Sequence, residues 1–151
     1  MYMRSRLAAV LLFLWAFSLA LPSQAQTWSG DSIVNPLTAS PGDLLKGRMI
    51  VTSRQTGLCL LCHNGPFPEE RFQGNLAPDM SASVGHLSPA QLRARIVDPS
   101  RFNPGTIMPS YYRAEGLNRV APKFVGQTML SGQEIEDVVA FLVSIKPTVV
   151  Q

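Results

Sequence analysis

The sequence predicts an all-α domain in which three or more short helices are joined by long irregular loops. Three observations support this prediction. Apolar residues recur at helical spacing near the C-terminus, no run of useful length alternates as a strand would, and prolines and glycines are concentrated between the predicted helices. The length of 151 residues suggests one domain.

The N-terminal segment is predicted to be a secretory signal peptide. Arg4 and Arg6 give it a positive start, residues 7–21 form a nearly unbroken apolar run, and the small residues Ser23 and Ala25 suit cleavage after Ala25. The alternative is a membrane anchor, but a spanning helix needs about 20 apolar residues and this run is shorter.

Cleavage at that point divides the chain into a signal peptide (1–25), an extended N-terminal arm (26–41) and a domain at 42–151. The signal peptide holds two of the 13 lysines and arginines and none of the 10 acidic residues, so its removal lowers the formal charge from +3 to +1. A charge so near zero gives no reason to expect nucleic-acid binding. The exported chain is expected not to be embedded in a membrane.

Two helices are predicted in the first two thirds of the domain. The first covers residues 44 to about 54 and is broken by Gly57, just before the two cysteines. The second begins with Ser88 as N-cap and Pro89 at the first helical position, and it should stop before Pro99.

The last helix has the clearest signals. Ser131 and Glu134 have the spacing of a capping box, and Pro147 marks the end. Residues 64–80 and 99–130 are rich in proline and glycine and are predicted to be loops. The apolar face of the last helix consists of Ile135, Val138, Val139, Leu142 and Ile145.

The only two cysteines, Cys59 and Cys62, are directly followed by His63. This Cys-x-x-Cys-His pattern predicts covalent attachment of one haem c, with thioether bonds from both cysteines and His63 as a ligand of the iron. A thioredoxin-like redox pair would need a βαβ context. A zinc site would need four ligands, and His86 as the fourth has an awkward spacing. A buried haem would also organise the long loops.

Four residues after this motif are candidates for the second axial ligand: Met80, His86, Met108 and Met129. Met108 is favoured because Pro104, Gly105 and Pro109 make its loop stiff enough to hold a thioether in place. A sulfur ligand opposite a histidine closes the iron to other molecules and raises its potential, which suits electron transfer. The alternatives stay open, since a lone methionine is usually core filler.

Other residues near the site are assigned less specific roles. His63 needs a partner for its second ring nitrogen, and the carbonyl of Pro78 is a candidate. Tyr111 and Tyr112 could contact a second subunit, hydrogen-bond a haem propionate or simply pack within the loop. Arg101 and Arg113 could each pair with a propionate or remain solvated.

Three features together resemble class I cytochromes c. They are a first helix that carries Gly47, a Met-Pro loop, and a final amphipathic helix that carries Phe141. In that fold the first and last helices cross, which implies that Gly47 meets Phe141.

Longer runs carry a narrower resemblance. They lie at residues 57–63, 65–79, 95–101, 106–113 and 134–142. These runs resemble SoxX, the family of small monohaem cytochrome subunits of the sulfur-oxidation system. The resemblance covers over half of the chain after the signal peptide, and residues 26–41 do not contribute to it.

The resemblance implies a periplasmic heterodimer with the cytochrome SoxA. That complex is an L-cysteine S-thiosulfotransferase, which joins thiosulfate to a cysteine of the carrier SoxYZ. The resemblance places the joining reaction in SoxA. It implies that the SoxX haem accepts the released electrons and passes them to a small c-type cytochrome. This chain fits the carrier role because the haem would occupy both of its cysteines, leaving no thiol for catalysis.

Two other functions remain as alternatives. A free-standing periplasmic cytochrome c shuttle would usually have a ring of lysines around the haem edge, and this chain has only Lys46, Lys123 and Lys146. A haem enzyme or gas binder would need an open position on the iron, and the Met108 loop argues against one.

Overall fold

The computed structural model describes residues 26–145, so the predicted signal peptide lies outside the described residues. Within this range, the all-α prediction is confirmed, with two very short strands added. The elements are β1 (Trp28–Ser29), β2 (Ser32–Ile33), α1 (Leu44–Thr52), α2 (Met80–Val84), α3 (Pro89–Val97) and α4 (Gly132–Ser144), with 3₁₀ turns at Cys59–Leu61, Pro99–Arg101 and Pro122–Phe124. Among residues 26–145, none of the helices has the length and apolarity that crossing a membrane requires.

The beginnings of α3 and α4 agree with the sequence prediction. The side chains of Ser88 and Ser131 each accept a hydrogen bond from the backbone N–H three residues later. In return, the side chains of Gln91 and Glu134 accept from the N–H of the capping serine. Both helices therefore start with complete capping boxes, which satisfy N–H groups that the helix itself leaves free.

The C-terminal end of α1 and the presence of α2 differ from the prediction. α1 ends two residues early because Ser53 is extended and its hydroxyl accepts from the N–H groups of Gln55 and Thr56. Such a local bond competes with helical hydrogen bonding. The unpredicted α2 begins after Asp79, whose side chain accepts from the N–H of Ala82 at 3.2 Å.

α1 and α4 cross at very short distance, and Gly47 makes the crossing possible. A Cβ atom at Gly47 would lie 1.9 Å from the carbonyl oxygen of Asp137 and 2.9 Å from the Cβ of Phe141. The implied contact between Gly47 and Phe141 is thus confirmed. The N–H of Asp43 also donates to the Asp137 carboxylate at 2.8 Å, which holds the start of α1 on α4.

Residues 26–41 pack on the helices through a buried ion pair. Arg93 of α3 and Glu136 of α4 form a two-pronged pair at 2.7 and 2.8 Å, with both side chains 6% exposed. Arg93 also donates to the carbonyl of Ile33, and Glu136 accepts from the N–H of Leu37. The Ile33 side chain is in the core. The hairpin of β1 and β2 was not predictable from a segment without a clear period.

A second polar cluster holds the long loop between α3 and α4. The buried carboxylate of Asp98 accepts hydrogen bonds from Ser100, Ser110 and Arg113 at 2.5, 2.7 and 2.9 Å. Burial opposes the charge of Asp98, but the two hydroxyls and the Arg113 guanidinium outweigh burial and lower the pKa of this carboxyl below its usual value. Ser110, two residues after Met108, therefore anchors the loop to Asp98 at the end of α3.

Replacing Gly47 with alanine tests the helix crossing. Helix propensity alone would make this change stabilising by about 1 kcal/mol. Because the new Cβ would overlap the Asp137 carbonyl, we expect a loss of about 1–3 kcal/mol or more in the free energy of unfolding, measured by chemical denaturation. Gly105→Ala is the matched control, since its Cβ would have its nearest neighbour at 3.5 Å. Equal stability of the two variants would contradict the close crossing.

Replacing Asp98 with asparagine tests the second cluster through pH. The pKa of Asp98 is lower in the folded chain than in the unfolded chain, so its contribution to stability is present above the unfolded pKa and is lost as the pH falls through the folded pKa. Asp98→Asn should therefore reduce stability near neutral pH and weaken its fall between about pH 5 and pH 3. Asp31→Asn, at an exposed carboxylate, should change the pH profile much less. Profiles altered equally by both substitutions would disprove the role of the cluster.

Candidate haem site

The two cysteines lie on a tight turn. The residues just before this turn are hydrogen-bonded to and packed against the C-terminal end of α1. Leu58 is in the left-handed region with φ of 60°, an uncommon conformation for a leucine, and its N–H donates to the carbonyl of Ser53 at 2.9 Å. Gly57 lies so close to α1 that a Cβ there would be 2.2 Å from the carbonyl oxygen of Ile50. The 3₁₀ turn that follows brings the N–H of His63 to the carbonyl of Cys59 at 2.9 Å.

The predicted residues Cys59, Cys62 and His63 line one large cavity of about 690 Å³. Its volume lies within the range of roughly 300–1,000 Å³ for small-molecule and cofactor sites. Both cysteines are free thiols and half-buried. Most of the wall is aliphatic and comes from several elements, including Val51, Leu58, Leu92, Ile96, Val138 and Leu142.

The segment after the cysteines is bound back onto the turn by backbone hydrogen bonds. The N–H groups of Gly74 and Ala77 donate to the carbonyls of Leu60 and Cys62 at 2.8 and 3.0 Å. A Cβ at Gly74 would lie 2.4 Å from the Leu61 carbonyl oxygen, so this approach depends on glycine.

This arrangement brings the carbonyl oxygen of Pro78 to the side chain of His63. The oxygen lies 2.7 Å from Nδ1, which fits donation by an Nδ1–H group and leaves Nε2 as the available nitrogen. The contact that the sequence analysis considered is present. A metal-binding histidine usually has such a partner, which fixes its tautomer and the orientation of its ring.

The structure separates the four candidates for the second axial ligand. Met108 and Met80 line the cavity together with His63. Met129 is half-buried against the core, His86 is exposed, and neither is among the lining residues. Met108 lies in the predicted loop, where its N–H donates to the hydroxyl of Thr106 at 3.1 Å.

The other residues considered in the sequence analysis have separate positions. Tyr111 lines the cavity and donates its hydroxyl to the carbonyl of Gly57 at 2.5 Å. Arg113 pairs with Asp98, and the Arg101 guanidinium lies 4.1 Å from the centre of the Trp28 ring. These two arginines and Tyr112 line a smaller cavity of about 360 Å³ and not the large one.

Arg95 is a cavity residue that sequence reasoning missed. Among the described residues, it is the arginine that lines the large cavity. Its guanidinium lies 4.8 Å from the centre of the Phe102 ring. Its position one residue before the buried Ile96 of α3 was the available signal. The long side chain can extend along apolar surface while the charge remains near solvent.

The titratable groups beside the cysteine turn are held in their neutral forms. Burial raises the pKa of the Cys59 thiol to about 11. Burial, and then the neighbouring Cys59, raise the pKa of Tyr111 above its ordinary value. Both groups are therefore protonated near neutral pH in this arrangement.

The donor set and the shape of the cavity fit a covalently attached haem. Two thiols and an imidazole with one nitrogen available lie on one side of a largely aliphatic space, and the thioether of Met108 lines the same space. The zinc alternative has no such support, since among residues 26–145 no three His, Cys, Asp or Glu side chains are grouped closely enough to hold a metal ion.

Comparison with known proteins places this architecture in a family. No family model matches the chain. No curated protein matches it. Among solved structures, a chain of the crystal structure of SoxXA from P. pantotrophus superposes with a TM-score of 0.72 and 32% sequence identity, over 80% of this chain and 93% of that one. The helices and loops described above thus form a cytochrome c-like fold, and the chain belongs to the SoxX family of cytochromes of sulfur oxidation.

Proposed function

We propose that this chain is the electron-transfer haem subunit of a periplasmic thiosulfate-oxidising complex. The observation that carries the proposal is the shared cavity: the cysteine turn, His63 and Met108 line one apolar space with the volume of a cofactor site. The similarity to SoxXA supports the complex in which this site would work.

One haem c would be attached through thioether bonds to Cys59 and Cys62, with His63 bound to the iron through Nε2. The bound haem would supply a one-electron carrier whose potential depends on its axial ligands and on the polarity around it. The Pro78 carbonyl would hold the His63 ring in the tautomer that leaves Nε2 free, since it accepts from Nδ1.

Met108, and not Met80, is proposed as the second axial ligand. The N–H of Met80 donates to the carbonyl of Asn64 at 2.8 Å, and Asn64 directly follows His63. A residue tied to the chain beside His63 is poorly placed to reach the opposite face of the iron. Met108 comes from the loop between α3 and α4, which is anchored separately through Asp98, and so it suits the opposite face.

The chemistry of the cavity suits an electron carrier better than a sulfur-transfer enzyme. Both cysteines would be used in haem attachment, and a His63–Met108 iron would have no position for thiosulfate. The remaining titratable side chains of the wall are Arg95 and Tyr111, and Tyr111 already donates to a backbone carbonyl. These groups provide no paired acid and base for catalysis.

The substrate would therefore be activated on the partner SoxA. Joining thiosulfate to a thiol of SoxYZ forms one S–S bond and releases one proton and two electrons. A single haem would accept these electrons one at a time, so a small acceptor cytochrome would have to reoxidise it between transfers. Leu76 and Ile107 line the cavity and are largely exposed, which supports contact with a partner near the haem.

A permanent partner is favoured over a free shuttle. Lys46 and Lys123 are the lysines of the described range, and neither lines the cavity. A shuttle that docks transiently on several complexes usually depends on a ring of such charges for its rate of encounter.

The assignment of Met108 is tested by replacing it with alanine in the haem-loaded chain. The Met108→Ala protein should lose the absorption band that reports a methionine–iron(III) bond, and its reduction potential should fall because the sulfur ligand is lost. Met129→Ala is the matched control and should keep the band. If Met108→Ala keeps it, the assignment is wrong and Met80 is the next candidate.

The division of labour is tested by reconstitution. SoxYZ, thiosulfate and an excess of oxidised acceptor cytochrome are mixed with this chain alone, with SoxA alone, and with both, and thiosulfate on the carrier is measured by mass. We expect efficient conjugation only with both subunits, while this chain alone still undergoes reversible reduction. Conjugation by this chain alone would contradict the electron-carrier function.

A further inference from the structure

Tyr111 makes hydrogen bonds to three separate parts of the structure. Its N–H donates to the carbonyl of Ile96 at the end of α3 at 3.1 Å. Its carbonyl accepts from the N–H groups of Met129 and Leu130, at 3.0 and 3.1 Å, just before α4 begins. Its hydroxyl donates to the carbonyl of Gly57, just before the cysteine turn, at 2.5 Å. The residue as a whole is 4% exposed.

The acceptor of this hydroxyl is itself tightly packed against α1. Gly57 packs directly on the backbone of α1 at Ile50, with no space for a side chain. It stands two residues before Cys59, at the start of the turn that carries both cysteines. The Tyr111 hydroxyl therefore connects the loop of Met108 to the part of the cysteine turn that packs on α1.

Haem attachment would make this bond more important. In the present arrangement the Cys59 thiol also donates to the Gly57 carbonyl, with its sulfur at 3.4 Å. Addition of Cys59 to a haem vinyl group would form a C–S bond at one vinyl carbon and move the thiol hydrogen to the other, so the sulfur could no longer donate. The Tyr111 hydroxyl then remains as the side-chain donor to this carbonyl.

Only two residues separate Tyr111 from Met108, and both restrict the chain. Pro109 has a fixed φ angle, and the Ser110 hydroxyl donates to Asp98 at 2.7 Å. A displacement of Tyr111 would therefore be transmitted to Met108 with little loss.

We propose that Tyr111 is a positioning residue, which fixes the distance between the Met108 loop and the cysteine turn through its hydrogen bond to Gly57. This inference rests on the proposed function, because it takes Met108 as the iron ligand. Its consequence is that the hydroxyl slows the dissociation of Met108 from the iron.

The test compares Tyr111→Phe with Tyr112→Phe in the haem-loaded chain. Both substitutions remove one hydroxyl, but Tyr112 does not line the cavity. The rate at which imidazole displaces methionine from iron(III) is followed through the loss of the methionine–iron band. Tyr111→Phe should exchange about fivefold faster than the unsubstituted protein, the factor expected for one buried hydrogen bond. Tyr112→Phe should remain within about twofold.

The outcomes separate the two proposals. Unchanged exchange in Tyr111→Phe, with the band present in the unsubstituted protein, overturns the role of Tyr111 and leaves Met108 as ligand. Absence of the band from the unsubstituted protein overturns both. A faster exchange with an unchanged denaturation midpoint supports a local positioning role, whereas a lowered midpoint with unchanged exchange shows a merely structural one.

A second measurement avoids substitution altogether, in case Tyr111→Phe does not accumulate as holoprotein. If the Met108 loop moves with Tyr111, imidazole should speed amide hydrogen exchange at Tyr111 and Leu130 several-fold and leave the amide of Gly47 in α1 unchanged. Equal exchange at Tyr111 with and without imidazole would overturn the proposal.

Discussion

The close crossing of α1 and α4 is the contact on which the rest of this structure depends. At Gly47 the two backbones approach so closely that not even a methyl group fits, and the Asp43–Asp137 hydrogen bond fixes the relative position of the helices. α1 then provides the surface against which Gly57 packs, and α4 provides part of the apolar cavity wall. The cysteine turn and part of the cavity wall are therefore positioned from one helix pair.

The long loops are ordered by polar contacts to this helical framework. Asp98, Arg93 and Glu136 are buried charged groups that are hydrogen-bonded to segments from other parts of the chain. Burial of such groups is costly unless each is paired, and here each has charged and neutral partners. With so little regular structure, the position of a loop such as that of Met108 depends on a few specific bonds.

Features formed by neighbouring residues could be predicted from the sequence, whereas contacts between distant residues could not. The N-cap at Ser88 and the capping box at Ser131 were predictable because each is formed within four consecutive residues. The Cys-x-x-Cys-His pattern and the Met-Pro loop likewise indicated a haem site, and both line one cavity. The Arg93–Glu136 pair could not be predicted, because it joins residues 43 positions apart whose types alone suggest solvated charges.

Two features of the site could be identified only from the three-dimensional arrangement. Arg95 stands on α3 among polar and apolar residues without any motif, and only the packing of α3 brings it to the cavity. Several roles for Tyr111 were compatible with the sequence, because its hydroxyl acceptor, Gly57, lies 54 positions away. For backbone acceptors of this kind the residue type carries no signal, since every residue has a carbonyl.

The backbone bonds between the cysteine turn and residues 74–78 have a consequence for substitutions in this stretch. Because N–H and carbonyl groups make these bonds, they place no demand on the side chains of most residues between positions 60 and 80. The exceptions include Gly74, which has no room for a side chain, Gln73, whose side-chain amide forms hydrogen bonds with the backbone of this stretch, and the buried Phe67. A substitution that leaves the path of this backbone intact therefore still presents a carbonyl to His63, so this contact depends more on the length of the stretch than on the identity of its exposed side chains.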